Sequence, residues 1–346
     1  MCFHPLPSYQ ISETYVKVFP RDTRYIYFES ISKEWIPVSF KDAERFPVAP
    51  TSRAIPREWL NMLPCGKCLD CRLAYARDWA NRCIVESLQF TDNYFLTITY
   101  DNVSIRNAVD FSSGEVLDHG VLYKADMVQF LKSLRLHWHR KYDHTNIRFF
   151  LAGEYGDSSL RPHYHMICFN LPLFDLKQYK TSPLGDVYYT SDELNKIWHK
   201  GYIVVGSLTR QSAAYTARYC LKKIKDAQVM WSKLNLTPEY TNASRRPGIG
   251  REWYDKNKDK LFSQGFVSVS DGEKGFRLYP GRYYKRLYKD ENEADYNRYV
   301  EVQTYKATVK RELELLRTDL NEIEYDLVKE SNLDARTKIL FERTLI

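Results

Sequence analysis

Residues 147–169 read IRFFLAGEYGDSSLRPHYHMICF, which is an apolar run, a polar loop containing glycine, and a second apolar run. The runs at 147–152 and 163–169 are rich in aromatic and aliphatic side chains, which predicts two β-strands. The polar loop predicts that the strands return on each other as an antiparallel hairpin. This hairpin is the centre of the fold prediction, and the flanking elements are assigned around it.

A candidate metal site lies on the hairpin. Alternate residues of a strand face the same side of a sheet, so we expect His163 and His165 to project together. Glu154 lies at the end of the preceding strand, where a hairpin brings its carboxylate beside the two imidazoles. Two histidines and one carboxylate leave positions on a divalent ion open for substrate oxygens. The alternative is a pair of surface histidines on an edge strand.

The flanking segments complete an α+β pattern. Residues 94–100 are β-branched and aromatic and predict a strand, and residues 202–205 predict another. Apolar periodicity and helix-start residues predict helices over 124–142, 191–199 and 211–224. The order β-α-β-β-α-β, followed by one added helix, is that of a ferredoxin-like antiparallel sheet with helices on one face.

The chain divides into three predicted regions. Residues 1–64 are punctuated by proline and irregular, and we expect them to form an N-terminal extension. Residues 65–260 form the predicted main domain, and residues 261–346 form a C-terminal region with a long helix at about 305–330. Apolar residues recur in that helix at intervals of four and three, which is typical of a coiled-coil seam. Self-association through the helix and packing back onto the body both remain open.

Composition excludes several classes of protein. At 346 residues, 44% hydrophobic and 15% aromatic, the chain is not a mostly disordered protein. A mean hydropathy of −0.52 and the lack of an apolar run near ~18 residues argue against a membrane-embedded protein. The N-terminus does not show the pattern of a secretory signal, and an odd number of cysteines, seven, fits a reducing compartment. We therefore expect a soluble intracellular protein.

The net charge of +7 is concentrated in one segment. Residues 201–260 carry 12 basic and 5 acidic side chains, which leaves 39 of each sign elsewhere. Tyrosines and tryptophans interleave with these basic residues, a combination that suits single-stranded nucleic acid. Within the segment, Arg245 and Arg246 lie in a loop of glycine and proline that suits phosphate binding. Ordinary solubilising charge and a plain surface turn are the alternatives.

A second candidate site lies on the predicted helix at 211–224. Tyr215, Tyr219 and Lys222 share one stripe of that helix, with Lys223 beside them. A phenol titrates near ~10, so a nucleophilic tyrosine needs nearby cations that favour the phenolate. The two lysines and Arg218 supply such charge. The alternative is that the tyrosines pack a core face while the lysines are solvated.

A third candidate is the cluster Cys65, Cys68 and Cys71. The spacing C-x2-C-x2-C suits a structural zinc site, but tetrahedral zinc needs a fourth ligand. The candidates for that ligand are Cys2, His4 and Cys83. Reduced cysteines packed at a helix start are the alternative.

Together these features resemble the HUH endonucleases, which are the rolling-circle replication initiators and relaxases. The strand at 95–99, His163-Tyr164-His165 and Tyr215-x3-Tyr219-x2-Lys222 follow the order of their three motifs. From about residue 64 to 255 the chain more closely resembles the replication initiation proteins of gokushovirus-type microviruses, small circular single-stranded DNA phages. The segments that carry this resemblance are Pro64-Cys65-Gly66-x-Cys68-x2-Cys71-Arg72, Ala152-Gly153-Glu154-Tyr155-Gly156, Arg161-Pro162-His163-Tyr164-His165 and Ser244-Arg245-Arg246-Pro247-Gly248-Ile249-Gly250.

The resemblance implies the HUH fold and a metal-dependent tyrosine endonuclease and strand transferase. It implies a Mg²⁺ or Mn²⁺ ion on His163, His165 and Glu154, and Tyr219 or Tyr215 as nucleophile. Attack would form a 5′-phosphotyrosine and a free 3′-OH, and the second tyrosine would later act in resealing the displaced circle. The other residues implied are Lys222 at the phosphate or phenolate and, for DNA contact, Arg218, Lys223, Arg245, Arg246, Thr97 and Thr99.

One residue departs from the family pattern. Relatives usually carry a bulky apolar residue between the two histidines, where this chain has Tyr164. Its side chain should point to the opposite face of the strand, away from the metal site.

The implied partners are phage origin DNA, single-stranded or in the supercoiled replicative form, and the host replication helicase and polymerase. The implied location is the cytoplasm of the bacterial host, with no membrane partner. Two other classes stay open. A conjugative relaxase commonly carries three clustered histidines where this chain has two, and a non-catalytic protein could bind single-stranded nucleic acid through the same basic and aromatic surface.

Overall fold

The structure is a computed structural model. The residues that it describes are 2–12, 15–29, 31–39, 54–56, 59–109, 113–156, 159–183, 185–218, 235–270 and 275–342. The chain forms two compact units: a smaller one of Met1–Arg72 and Leu315–Ile346, and a larger one of Leu73–Glu314.

The helices and strands of the described residues follow in chain order. They are β1 (Leu6–Gln10), β2 (Val16–Val18), β3 (Thr23–Glu29), β4 (Glu34–Ser39), β5 (Ala54–Pro56), β6 (Asn61–Leu63), α1 (Leu69–Ser87), β7 (Asn93–Tyr100), β8 (Asn107–Val109), β9 (Val116–Gly120), α2 (Lys124–Tyr142), β10 (Arg148–Tyr155), β11 (Pro162–Phe169), β12 (Leu176–Thr181), β13 (Val187–Ser191), α3 (Asp192–Trp198), β14 (Gly201–Ser207), α4 (Arg210–Arg218), β15 (Tyr240–Ala243), α5 (Arg251–Gln264), β16 (Val267–Ser270), β17 (Gly275–Leu278), α6 (Arg282–Glu291), α7 (Glu293–Leu315) and α8 (Glu322–Glu342). None of these helices, over the described residues, combines the length and apolar character that a bilayer-spanning segment needs.

The larger unit is built on a seven-stranded sheet with the order β12-β13-β14-β7-β11-β10-β15. Every pair of neighbouring strands is antiparallel. Helix α2 lies between β7 and β10 in the chain, and α3 immediately precedes β14. The predicted α+β class and the order β-α-β-β-α-β are confirmed, with the hairpins β8–β9 and β12–β13 as insertions.

Helices cover both faces of this sheet. On one face, alternate residues of β7, β10, β11 and β14 pack against α2 and α3 around the fully buried Trp138 and Trp198. On the other face, Phe150 and Ile167 belong to a core shared with α1 and α4. The prediction of helices on one face is therefore wrong. The buried residues of α1 and α4 in this core include four alanines, whose small side chains let a helix approach the sheet closely: Ala76, Ala80, Ala213 and Ala217.

The N-terminal part of the smaller unit is more regular than the sequence suggested. It contains two three-stranded antiparallel sheets, with the orders β2-β1-β6 and β4-β3-β5. Leu6 of β1 pairs with Leu63 of β6, so the strand neighbours are far apart in the chain. Hydrophobic periodicity detects single strands but does not reveal such distant pairing.

The predicted continuous helix at about 305–330 is wrong. Helix α7 ends at Leu315 and α8 begins at Glu322. The Oδ1 atom of Asn321 accepts hydrogen bonds from the backbone N–H groups of Ile323 and Glu324, and Glu324 Oε2 accepts one from the N–H of Asn321. This reciprocal capping box starts a new helix inside the apolar repeat. Several residues of that repeat are exposed, so self-association stays a prediction: Leu313, Leu316, Ile323 and Leu327.

Candidate active site

The hairpin β10–β11 brings the three predicted metal ligands together. Glu154 is the register partner of His163, and Ala152 is the partner of His165. Because side chains alternate along a strand, the two imidazoles and the carboxylate lie on the same face of the sheet. That face is the one covered by α1 and α4, since Ile167 continues the same alternation into their core. Glu154 and His165 are buried, and His163 is half-buried.

The side chains meet at the carboxylate. Glu154 Oε1 lies 2.5 Å from Nε2 of His163 and 2.9 Å from Nε2 of His165. The ligand atoms of the three residues all lie within 4.8 Å of one another. Burial raises the pKa of Glu154, but the hydrogen bonds from the two histidines outweigh it and hold the pKa below its ordinary value. The group is therefore an anionic ligand at neutral pH.

The hydrogen bonds of His163 indicate that a cation fits here. A carbonyl oxygen only accepts, so Nδ1 of His163 is the donor in its 3.1 Å contact with the carbonyl of Arg161. In the neutral ring, Nε2 then carries a lone pair and faces a carboxylate oxygen of Glu154. Two acceptors this close require a proton or a cation between them. The three residues therefore fit a divalent ion that takes nitrogen and oxygen ligands.

Three neighbouring side chains fix the ring of His165. Phe95 of β7 stacks on it with the ring centroids 5.3 Å apart. Tyr215 of α4 meets the same ring edge-on, with the centroids 5.2 Å apart. Thr97 is the register partner of His165, and its Oγ1 lies 3.3 Å from Nδ1. The structure thus places Tyr215, one of the two predicted nucleophiles, beside the predicted metal ligands.

The start of helix α4 explains why Tyr215 has a defined position. Thr209 precedes the helix, and its backbone N–H donates to Ser212 Oγ at 2.8 Å, while the N–H of Ser212 donates to Thr209 Oγ1 at 3.1 Å. These reciprocal bonds cap the helix. Buried Ala213 and Ala217 then seat it on the sheet. The remaining catalytic predictions, Tyr219, Lys222 and Lys223, lie outside the described residues, as does the side chain of Arg218.

Tyr164 has the orientation that the sequence predicted. It is fully buried on the face opposite the histidines, in the core with α2 and α3. Its hydroxyl lies 3.0 Å from that of Tyr100, which in turn donates to Asp126 at 2.9 Å. The departure from the family pattern is therefore accommodated by the core, away from the metal ligands.

Residues 244–250 are anchored by a buried network that the sequence did not reveal. Glu86 forms a buried ion pair with Arg148 and also accepts the backbone N–H of Gly250 at 2.6 Å. Arg148 donates to the carbonyl of Pro247 at 2.9 Å, and Arg82 donates to that of Ile249 at 3.0 Å. Arg245 and Arg246 are exposed at this anchored loop, and Arg245 also lines a cavity of ≈570 Å³ with Trp79 and Tyr283. Their DNA contact stays a prediction.

The other predicted positions are also located. Thr99 is the register partner of His163, and its hydroxyl donates to the carbonyl of Tyr202 at 3.2 Å. In the smaller unit, Cys2 joins Cys65, Cys68 and Cys71 in a second cluster that could hold a metal ion. Sequence reasoning missed the role of Phe95, although its position two residues before Thr97 puts it on the site face of β7.

Comparison with known proteins identifies the family. The model of the replication-associated protein ORF2 family matches residues 93–224. The replication-associated protein VP4 of Bdellovibrio phage phiMH2K is 35% identical over 246 residues, which is 69% of this chain and 71% of that protein. The replication-associated protein ORF2 of Spiroplasma virus 4 is 36% identical over 242 residues, or 68% and 71% of the two chains. The replication-associated protein ORF4 of Chlamydia phage 1 is 28% identical over 239 residues, or 67% and 56%. No solved structure matches.

Two of these relatives are more than 30% identical over more than two thirds of their length. The matched region of the family model contains β7, the histidine hairpin and α4, which are the elements that build the candidate site. The chain belongs to the family of microvirus replication-associated proteins.

Proposed function

We propose that this protein initiates rolling-circle replication by nicking the origin in the replicative form of a circular single-stranded DNA phage genome. Its family has a role in phage genome replication. The observation that carries the proposal is the juxtaposition of Glu154, His163 and His165 with Tyr215, whose ring centroid is 5.2 Å from that of His165. A metal-ligand set beside a tyrosine suits phosphodiester cleavage through a covalent protein–DNA intermediate.

The HUH fold is part of this proposal. The four strands β14-β7-β11-β10 are adjacent and antiparallel, with α2 and α3 in the two crossover connections. This is the strand order of a ferredoxin-like sheet. Helix α4 follows the last of these strands and lies on the face of the metal ligands, as an added catalytic helix requires.

The metal ligands would orient the scissile phosphate. A Mg²⁺ or Mn²⁺ ion on Glu154, His163 and His165 would polarise that phosphate and stabilise the charge that develops on it. The buried carboxylate supplies the negative charge that balances the ion. Phe95, Thr97 and Tyr215 hold the ring of His165, so the site needs little rearrangement on binding.

The covalent step is a transesterification. The phenolic oxygen of Tyr219 or Tyr215 attacks phosphorus, the new Oη–P bond forms, and the P–O3′ bond breaks. The phenolic proton goes to solvent, and the leaving oxygen takes up a proton to become the 3′-OH that primes synthesis. After one round the second tyrosine attacks the regenerated origin, and the released 3′-OH attacks the first phosphotyrosine and reseals the circle. One phosphoester bond forms for each that breaks, so no external energy source is needed.

The basic residues would hold the DNA. Arg245 and Arg246 are exposed on the anchored loop at 244–250, where they suit phosphate contacts that position the strand. Arg218 and Lys223 would extend this surface, and Lys222 would steady the phosphate or the phenolate. Further steps would use the host replication helicase and polymerase, in the cytoplasm of the bacterial host.

The test is covalent trapping on a single-stranded origin oligonucleotide with Mn²⁺. Mass spectrometry should find the nucleotide on Tyr215 or Tyr219, with Tyr219 dominant because Lys222 and Lys223 lie one turn beyond it. Single Tyr215→Phe and Tyr219→Phe variants should each retain some cleavage, and the double variant should form no adduct. Phenylalanine keeps the ring packing and removes only the nucleophilic oxygen.

Two further variants complete the test. Tyr179→Phe, at an exposed tyrosine of β12, is the matched control and should cleave as the wild type does. His163→Ala combined with His165→Ala should abolish cleavage while oligonucleotide binding largely survives, because binding depends on the basic surface. An adduct on another tyrosine, or one formed by the double phenylalanine variant, would overturn the mechanism. Tight binding by the wild type without any adduct would favour a non-catalytic DNA-binding protein.

A further inference from the structure

The smaller unit contains a second group of metal-ligating side chains, unrelated to the histidine hairpin. The Sγ atoms of Cys2, Cys65, Cys68 and Cys71 all lie within 4.8 Å of one another. The separation between Cys2 Sγ and Cys68 Sγ is 3.8 Å. In tetrahedral zinc with Zn–S bonds of about 2.3 Å, neighbouring sulfurs are about 3.8 Å apart, whereas a disulfide bond is about 2.05 Å long. The four thiols therefore have the spacing of ligands around one ion.

The backbone around the cluster is arranged to accept thiolates. The N–H groups of Lys67 and Cys68 point at Cys65 Sγ, at 3.4 and 3.2 Å, and the N–H of Cys65 points at Cys2 Sγ at 3.3 Å. Gly66 makes the turn between the first two cysteines with a φ of +70°, which favours glycine. N–H groups directed at sulfur stabilise the negative charge that a metal-bound cysteine carries.

The structure resolves the question of the fourth ligand. His4 is occupied elsewhere in the smaller unit, because its Nε2 lies 2.7 Å from Glu330 Oε1. Cys83 is fully buried in the core formed with α1 and α4 in the larger unit. Cys2 is the candidate that joins the cluster, so three ligands come from the start of α1 and the residues before it, and the fourth comes from near the N-terminus.

We propose that Cys2, Cys65, Cys68 and Cys71 bind one structural zinc ion. Four sulfur ligands complete a tetrahedron and leave no position for substrate, so the site is structural and not catalytic. Soft thiolates select zinc over Mg²⁺ and Mn²⁺, which separates this site from the nitrogen and oxygen ligands of the histidine hairpin. The ion ties Cys2 to a segment 63 residues away, next to the pairing of β1 with β6. We therefore expect it to stabilise the smaller unit.

The first measurement is the metal content of the full-length protein, purified under reducing conditions. We expect one zinc per chain that survives dialysis, and a lower melting temperature after removal by a strong chelator. Cobalt added to the stripped protein should give the intense sulfur-to-metal absorption and the tetrahedral ligand-field bands of a four-thiolate site. Fresh reduced protein that holds no zinc, and that gives no such cobalt spectrum, would overturn the proposal.

Variants then test the ligand set. Cys2→Ser should lower zinc retention and change the cobalt spectrum, because one thiolate is lost, whereas His4→Ala should retain one zinc per chain. Cys168→Ala is the matched control, since it removes a buried cysteine outside the cluster and should leave the zinc content unchanged. A Cys2→Ser protein with the wild-type cobalt spectrum would show that Cys2 is not a ligand.

The variant His163→Ala with His165→Ala separates this proposal from the proposed nuclease. It should lose nicking and keep its zinc. If instead it lost the zinc, the ion would belong to the histidine hairpin and the cysteine site would be refuted. All these readouts are made without DNA, so they stand or fall independently of the nicking reaction.

Discussion

Replacing Thr97 with valine tests whether the outer hydrogen bond of His165 contributes to metal binding. Thr97 Oγ1 lies 3.3 Å from Nδ1 of His165, and the two residues face each other across β7 and β11. Valine keeps the β-branched shape that suits a strand and removes only the hydroxyl. We therefore expect the imidazole to stay on the site face but to lose one of the groups that orient it.

The expected effect follows from the strength of a single neutral hydrogen bond. Such a bond contributes a net ~0.5–1.5 kcal/mol, and 3.3 Å is at the long end for its kind. Since 1.4 kcal/mol is about tenfold in an equilibrium constant, this corresponds to about a 2- to 12-fold change. We expect the Mn²⁺ concentration for half-maximal nicking to rise by that factor. A larger loss is not expected, because Phe95 and Tyr215 still hold the ring.

The assay measures the initial rate of nicking of a labelled origin oligonucleotide against Mn²⁺ concentration. Thr99→Val is the matched control, because the Thr99 hydroxyl donates to the carbonyl of Tyr202 and not to a histidine. An unchanged half-saturation for Thr97→Val, or an equal shift for Thr99→Val, would refute the reasoning. An equal loss of oligonucleotide affinity in both variants would instead support direct DNA contact by the two threonines.

Two further predictions concern stability. Glu86→Gln leaves Arg148 buried without its counter-charge, so we expect a loss of ~3–5 kcal/mol in the free energy of unfolding by urea, against ~0.5 kcal/mol or less for the exposed control Glu301→Gln; a change as small as the control's would contradict the role of the pair. Burial raises the pKa of Glu193, but hydrogen bonds, that of Lys141 first, outweigh it and hold the pKa below the ordinary 4.5. The ionised form is therefore the stabilising one, so the advantage of wild type over Glu193→Gln in melting temperature should be full above about pH 4.5 and shrink as the pH falls below it; a pH-independent difference would argue against this.

The candidate metal site was predictable because its ligands are close together in the chain. Strand periodicity puts His163 and His165 on one face, and a hairpin brings Glu154 opposite His163. The same alternation correctly predicted that Tyr164 points to the other side. These inferences need only local geometry, which a sequence pattern contains.

Contacts between distant segments were not predictable in this way. Glu86 and Arg148 are 62 residues apart, and Arg82 reaches the carbonyl of Ile249 across 167 residues. No periodicity shows that α1 and α4 share the second face of the sheet, because an apolar helix stripe does not specify its partner. The heptad-like repeat also concealed the break before α8, where Asn321 and its capping bonds outweigh the apolar pattern.

The smaller unit joins two distant parts of the chain, which has a consequence for biosynthesis. His4 leaves the ribosome 326 residues before its partner Glu330. At bacterial elongation rates of about 5–20 residues per second, that delay is roughly 16–65 s. The larger unit is continuous over Leu73–Glu314 and can fold while the ribosome is still adding the residues that complete the smaller one. During translation, the early N-terminal strands are therefore the segment that waits longest for its final contacts.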